Sequence, residues 1–230
     1  NTVFWVGNDK SGANVVWMAD GYQPKRISTE AIENYLRQYD LSEATSYSYQ
    51  ENGHYFYQIN IPGAPTCPVY DITLEQWHER AQWNTNAGMF YRDRANFHIY
   101  AFGKHLVSDY ENGNIYEQSL SYNDDADTLI VRQRTGPYFV EDDNLDFIYF
   151  KRFQLDMQMG VGLNAGADED TNPKVSLEWS DDGGNTWSSA WSVPIGQIGQ
   201  FRTRAIWNRL GRSRFRIFRA TLVANVPCYM

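Results

Sequence analysis

The run whose residue types and spacing carry most chemistry is Ser180-Asp181-Asp182-Gly183-Gly184-Asn185-Thr186-Trp187. It matches the Asp-box pattern Ser-x-Asp-x-Gly-x-Thr-Trp through Ser180, Asp182, Gly184, Thr186 and Trp187. In such a run a carboxylate accepts backbone N–H bonds inside a tight turn, glycine supplies positive φ, and the indole packs under the hairpin. That chemistry builds a turn and breaks no bond. The other reactive types are scattered. His54, His78, His98 and His105 each stand alone in strand-like contexts and read as half-buried strand residues. Asp124-Asp125-Ala126-Asp127 and Glu141-Asp142-Asp143 lack the spacing and the glycine of a calcium loop, so they read as solvated turn acids. There is no HExxH, phosphate loop or nucleophile elbow. The expectation is a protein that is not an enzyme, with no catalytic residue, metal or cofactor.

Charge is unevenly placed. The chain has 230 residues and a formal net charge of −8. Segment 109–146 holds ten carboxylates against Arg132 and Arg134, whereas segment 201–219 holds seven arginines and no acid. Arg202 and Arg204 alternate with Phe201, Thr203 and Ala205, and Arg212, Arg214 and Arg216 with Ser213, Phe215 and Ile217. A continuous strand puts each such set on one face. Segregated charge of this kind can steer a head-to-tail contact between identical subunits. Arg202, Arg204, Arg212, Arg214 and Arg216 are therefore expected to face Asp124, Asp125, Asp127, Asp142 and Asp143 of a neighbour. Non-specific contact of the arginines with DNA phosphates is the lesser expectation.

The elements that must position these residues are mostly strands. Aromatic residues make up 16% of the chain and charged residues 21%, a profile suited to short, half-buried strands. No apolar run is long enough to span a membrane. Cys67 and Cys228 are too few for a disulfide framework; they read as ordinary thiols of a reducing cytosol, and the sequence does not test a bridge between them. Val3–Gly7 and Val15–Ala19 form a hairpin pattern, as do Ala44–Gln50 and His54–Ile61 about Asn52-Gly53. One short helix is expected over about residues 28–39. Ser28 or Thr29 caps it, and Ile32, Tyr35, Leu36 and Tyr39 form its buried stripe. Val69-Tyr70-Asp71 followed by Trp77-His78-Glu79-Arg80 is echoed by Val107-Ser108-Asp109 and Ile115-Tyr116-Glu117-Gln118, 38 residues later. That offset is near the period of a propeller blade, which would give about five blades. The fold class is thus all-β, a propeller-like array of antiparallel meanders. Residues 1–145 are expected to carry the blades and the helix. Residues 146–230 would form a C-terminal meander with the Asp-box hairpin, packed on or completing the same domain.

Two stretches resemble a known family. Gly21-Tyr22-Gln23-Pro24-Lys25-Arg26-Ile27-Ser28-Thr29-Glu30-Ala31-Ile32-Glu33, followed by Ser46–Ile61, Val69-Tyr70-Asp71 and Trp77, is similar to the tail accessory, or packaged-DNA stabilisation, proteins of short-tailed bacteriophages. Ser180–Trp187 with Arg204-Ala205-Ile206-Trp207-Asn208-Arg209-Leu210-Gly211-Arg212 looks like that family's C-terminal hairpin and strand pair. The resemblance implies a structural virion protein of the phage tail, assembled in the host bacterial cytoplasm. It implies a ring of copies, six in the family, that docks below the portal and its adaptor. The ring would seal the channel on packaged DNA and attach the tail needle or spikes. It also implies that this chain is the C-terminal part of a longer protein. Two other readings stay open: a glycan-binding or sialidase-like propeller, suggested by the Asp box, and a host-receptor-binding tail protein. A sialidase needs three arginines on one carboxylate and a Tyr–Glu pair, and no spacing here singles those out.

Overall fold

A computed structural model describes residues 2–8, 10, 12–126, 128–140 and 146–229. Asp127, Asp142 and Asp143 lie outside the described residues. The chain divides into two compact units, Asn1–Ser119 and Leu120–Met230.

Among its described residues the first unit holds three antiparallel sheets in which strands pair in chain order. Strands β1 (Phe4–Asn8), β2 (Asn14–Asp20) and β3 (Gln23–Arg26) make one, and helix α1 (Glu30–Leu36) follows. Strands β4 (Thr45–Glu51), β5 (His54–Asn60), β6 (Cys67–Asp71), β7 (Gln76–Asn84) and β8 (Met89–Arg92) make the second. The third comprises β9 (Ala95–Ala101), β10 (Lys104–Asp109) and β11 (Ile115–Gln118). Asn52 and Gly53 have φ of 49° and 81°, the geometry whose twist matches a two-residue hairpin between β4 and β5.

The helix is shorter than expected, but its stripe is buried as read. Ile32 and Leu36 join Ile27, Tyr57, Ile59, Tyr70 and Val16 in one core, with Phe4, Val6, Met18, Tyr35 and Tyr39 against it. Thr29 is the cap, its Oγ1 accepting from the Ile32 N–H. Ser28 serves elsewhere, since its Oγ accepts from the Val16 N–H and donates to Glu33 Oε1. Glu33 is buried and takes both Arg26 Nε and Nη2, at 2.8 and 2.6 Å. Burial alone would raise its carboxyl, but the Arg26 and Ser28 bonds outweigh that and hold it below the ordinary range.

The two faces of the central sheet are therefore used differently. Tyr57, Ile59, Tyr70 and Trp77 meet the helix and the first sheet. Tyr47, Tyr49 and Phe56, on the opposite face, meet Ala95, Val107 and Tyr116 of the third sheet. The 38-residue echo is real in register. Val69 pairs His78 and Tyr70 pairs Trp77, as Val107 pairs Tyr116 and Ser108 pairs Ile115. It also repeats a buried aspartate at the strand end. Asp71 accepts from the Thr73 and Leu74 N–H groups and meets His54; Asp109 accepts from the Glu111 N–H and meets Arg94. Among the described residues this unit has three meanders, where the period had suggested about five blades for the whole chain.

The second unit is built differently. Its strands are β12 (Asp124–Asp125), β13 (Thr128–Leu129), β14 (Arg132–Thr135), β15 (Phe139–Val140), β16 (Ile148–Tyr149) and β17 (Arg152–Leu155). After the one-turn helix α2 (Asp168–Thr171) come β18 (Lys174–Ser180), β19 (Trp191–Pro194), β20 (Ala205–Asn208), β21 (Arg212–Ser213) and β22 (Phe215–Leu222). One sheet has the order β14-β22-β18-β19, with β15 also on β22. Because β14 and β15 hydrogen-bond to β22, residues 132–140 group with the C-terminal strands. The division falls at 119/120 and not at 145/146 as expected from sequence. Trp207 and Ala205 of β20, with Phe153 and Leu155 of β17, cover Val175, Leu177, Phe218, Ala220 and Leu222. The Trp207 indole N–H donates to the Trp191 carbonyl at 2.6 Å.

Candidate functional site

The Asp-box run forms the loop between β18 and β19. Asp182 Oδ1 accepts from Ser180 Oγ at 2.7 Å and from the Thr186 N–H at 2.9 Å, and Oδ2 accepts from Thr186 Oγ1 at 2.6 Å. Ser180 Oγ in turn accepts from the Gly184 N–H. Gly183 and Gly184 have φ of 80° and 93°, left-handed geometry that glycine adopts without cost to a Cβ. The Thr186 hydroxyl, its N–H and the Ser180 hydroxyl hold the Asp182 carboxyl down at about 2. Trp187 is half-buried and lies under the Arg219 guanidinium, 3.8 Å from the ring centroid. Arg219 also meets Glu178, its cross-strand partner. The bonds of Ser180, Asp182 and Thr186 are spent on the turn itself.

The arginines expected to share a face do not. The residue Arg214 separates β21 from β22, which resets the alternation. Arg216 then falls in step with Phe218, Ala220 and Leu222 on the core face of β22, and it is buried. Its guanidinium binds Asp181 through Nε at 2.6 Å and Nη2 at 2.7 Å, and Nη1 donates to the Leu210 carbonyl. The rings of Phe150 and Trp179 lie 4.8 and 5.3 Å from it. This corrects the sequence expectation: Arg216 is an internal residue and offers no contact to a neighbour. Arg202, Arg204, Arg212 and Arg214 are exposed, and among the described residues none forms an ion pair. Arg212 and Arg214 stack on Phe147, at 4.5 and 4.9 Å. On the acidic side Asp124 is exposed and Asp125 half-buried. Within the same acidic segment Asp109 is held by Arg94 and Glu117 by Lys104.

One constellation was not foreseen. All four histidines, read singly, lie in one layer against the Tyr49 side of the central sheet. His98 Nε2 and His105 Nδ1 are 2.9 Å apart. The His98 ring stacks on Tyr47 at 5.8 Å and lies 5.2 Å from Tyr49. Phe56 touches Tyr49, His54 and His78. Arg80 lies over the Tyr49 and Phe56 rings. The sequence signal was local but disguised: Phe102 and Gly103 turn the chain with φ of 55° and 75°, bringing residues 98 and 105 together. Phe102 is no recognised turn former. Among the described residues no three His, Cys, Asp or Glu side chains are grouped to hold a metal. Cys67 is buried and Cys228 half-buried, and both are free thiols.

Comparison with known proteins matches the two units separately. Residues 1–121 match the family model described as "Bacteriophage P22 Gp10, beta-propeller", and residues 134–230 that described as "Bacteriophage P22 Gp10, beta-sandwich". No curated protein matches the chain. Among solved structures, one titled "Glycoside hydrolase" shares 10% identity at a TM-score of 0.21, over 98% of this chain and 68% of that one. At that score it carries no argument about fold or activity. The propeller description falls on the meander unit, and the sandwich description on the unit with the Asp-box loop and the buried arginine.

Proposed function

The chain belongs to the bacteriophage P22 Gp10 family, whose members are structural proteins of the phage tail, and from that premise we propose that it is a subunit of the tail hub. In this reading copies form a ring, six in number, below the portal and its adaptor. The ring plugs the channel, retains packaged DNA and carries the tail needle or spikes. It is assembled in the host bacterial cytoplasm and remains in the virion. The observation that supports it is the order of the two matches, propeller then sandwich, along 1–121 and 134–230.

Retention of DNA is here mechanical. A chain of net charge −8 repels the phosphate backbone at long range, so a seated plug suits it better than wrapping. Any contact of the exposed arginines with DNA is secondary. The subunit contact is proposed to use Arg202, Arg204, Arg212 and Arg214 against acidic residues of the next copy, Asp124, Asp125, Asp127, Asp142 and Asp143.

Mass measurement under native conditions tests the proposal, on the protein alone and mixed with portal and adaptor. A ring, or a ring formed on the portal–adaptor complex, is expected. A monomer at every concentration, with no complex on mixing, overturns it. Charge reversal at Arg212 and Arg214 is expected to weaken assembly; unchanged mass would remove those two arginines from the interface.

A further inference from the structure

The geometry points to an acid-sensitive joint in the first unit: the His98–His105 pair between the central and third sheets lets that seam open when the two imidazoles take up protons. The two seams of the central sheet differ in kind. The one toward the helix is closed by Leu36, Ile59, Ile61 and Val16, all essentially without exposure. The other is closed by Ala95, Val107 and Phe56 together with rings that carry polar atoms, Tyr47, Tyr49, His98, His105 and Tyr116. Tyr47 Oη and Gln58 Oε1, from residues paired across β4 and β5, are buried without a protein partner. A seam with such atoms is less strongly closed than an apolar one.

The His98 Nε2···His105 Nδ1 contact requires that one nitrogen carry a hydrogen and the other a lone pair. One added proton puts a charge into the seam, and a second puts hydrogens on both facing nitrogens and breaks the bond. The surroundings do not compensate. From β4, Tyr47 and Tyr49 face the pair with their rings. From the third sheet itself, Tyr100 lies 4.9 Å from His105, and Val107 and Gln118 stand opposite in register. From β7, Arg80 brings a positive charge over Tyr49, with His78 beyond it against Phe56. From β5 comes His54, whose ring is held by Asp71. Glu51 and Asp93 are the carboxylates that act on Arg80 and Tyr49; Glu117 is held by Lys104. Burial, and then His105, holds His98 below the ordinary histidine value.

The sign follows from linkage. A histidine held low when folded takes up its proton more readily in the open form. The seam is therefore fully closed above the ordinary value of about 6.5 and weakens as pH falls through and below it. The second unit supplies an internal control, because residues 120–230 contain no histidine.

Hydrogen exchange read by mass spectrometry on the intact chain, from about pH 8 to about pH 5, tests this after correction for the chemical exchange rate. Amides of β4, β9 and β10 are expected to open more, by up to about tenfold per pH unit for each extra proton bound. Peptides from 120–230 should hold. In the double variant His98→Gln, His105→Gln the pH dependence should shrink to the part left by His78, which burial also holds low. Unchanged protection of β4 and β9 in the natural chain, or an equal loss in 120–230, overturns the proposal. Should the variant not fold, ring-proton NMR of the natural chain decides: His98 titrating at the ordinary histidine value with no change in β4 would overturn it too.

Discussion

The two units solve the same problem, a polar group inside a β core, in opposite ways. The first holds all four histidines and twelve of the sixteen tyrosines, and the second holds ten of the fifteen arginines. The seam of the first is lined mostly with groups that are neutral or whose charge is conditional, with Arg80 a permanent charge over the Tyr49 and Phe56 rings. The second buries Arg216, whose charge is permanent, and holds it with Asp181, a carbonyl and three aromatic rings. A conditional charge makes a joint that solution conditions can loosen. A permanent one makes a fixed pin, stable while its partner remains and costly when the partner is lost.

The sharpest way to break that comparison is at the pin. Asp181→Asn leaves a buried guanidinium facing a neutral amide and is expected to cost about 3 kcal/mol, the low end for a broken buried pair. The low end applies because the Asp181 side chain is 44% exposed. Arg216→Met removes the charge and keeps most of the packing, so it should cost less, about 1 kcal/mol. Urea unfolding of the two variants measures both. If Arg216→Met proves the worse, the guanidinium is well solvated and the contrast between units fails.

The repeated aspartates of the first unit give a finer test. Asp109 is fully buried at its side chain and pairs with Arg94, whereas Asp71 pairs with His54, whose side chain is 37% exposed. Both cap the next turn, Asp71 through two amides and Asp109 through one amide and the Asn112 side chain, so the largest difference left is the partner. Asp109→Asn is expected to cost about 2 kcal/mol, because a charged hydrogen bond is lost in a buried place. Asp71→Asn should cost about 1 kcal/mol, since the turn amides keep an acceptor and the partner is partly solvated. Equal losses in urea unfolding would mean that the turn, and not the partner, sets the value of each aspartate. Smaller still is Gly53→Ala, at about 1 kcal/mol or less, for placing a Cβ at φ 81° in the β4–β5 turn; thermal unfolding reads it.

Much of the fold was legible because its signals are local. Asn52-Gly53, the Ile32-Tyr35-Leu36-Tyr39 stripe and the echo from Val69 to Val107 each depend on neighbours within a few residues or on period. The Asp-box turn was legible for the same reason, its bonds spanning only residues 180–186. What the sequence hid depends on where a strand breaks or on what lies across a seam. Arg216 alternates with Arg212 and Arg214 on one side and with Phe218, Ala220 and Leu222 on the other. Only the break at Arg214 decides which pattern holds. The histidines were separable from their cluster because Tyr47 and Tyr49 reach them from 51 residues away (Tyr47 to His98), a pairing no local pattern encodes.

The smallest effect expected is the most discriminating in pH. Asp182 is exposed and its bonds serve only the hairpin, so Asp182→Ala should free the amides of 182–188 while the rest of the second unit keeps its protection. Its carboxyl is held at about 2 by those bonds, below the ordinary aspartate value of about 3.9. The order it confers is therefore complete above that ordinary value and is lost as pH falls through about 2. Hydrogen exchange carried on from that range down to about pH 2 should then show two separate events in one chain. The histidine seam loosens below about 6.5, and the Asp-box hairpin loosens only in strong acid. If the hairpin loosens together with the seam, acid acts on the chain as a whole, and the two units do not differ in the way their interiors imply.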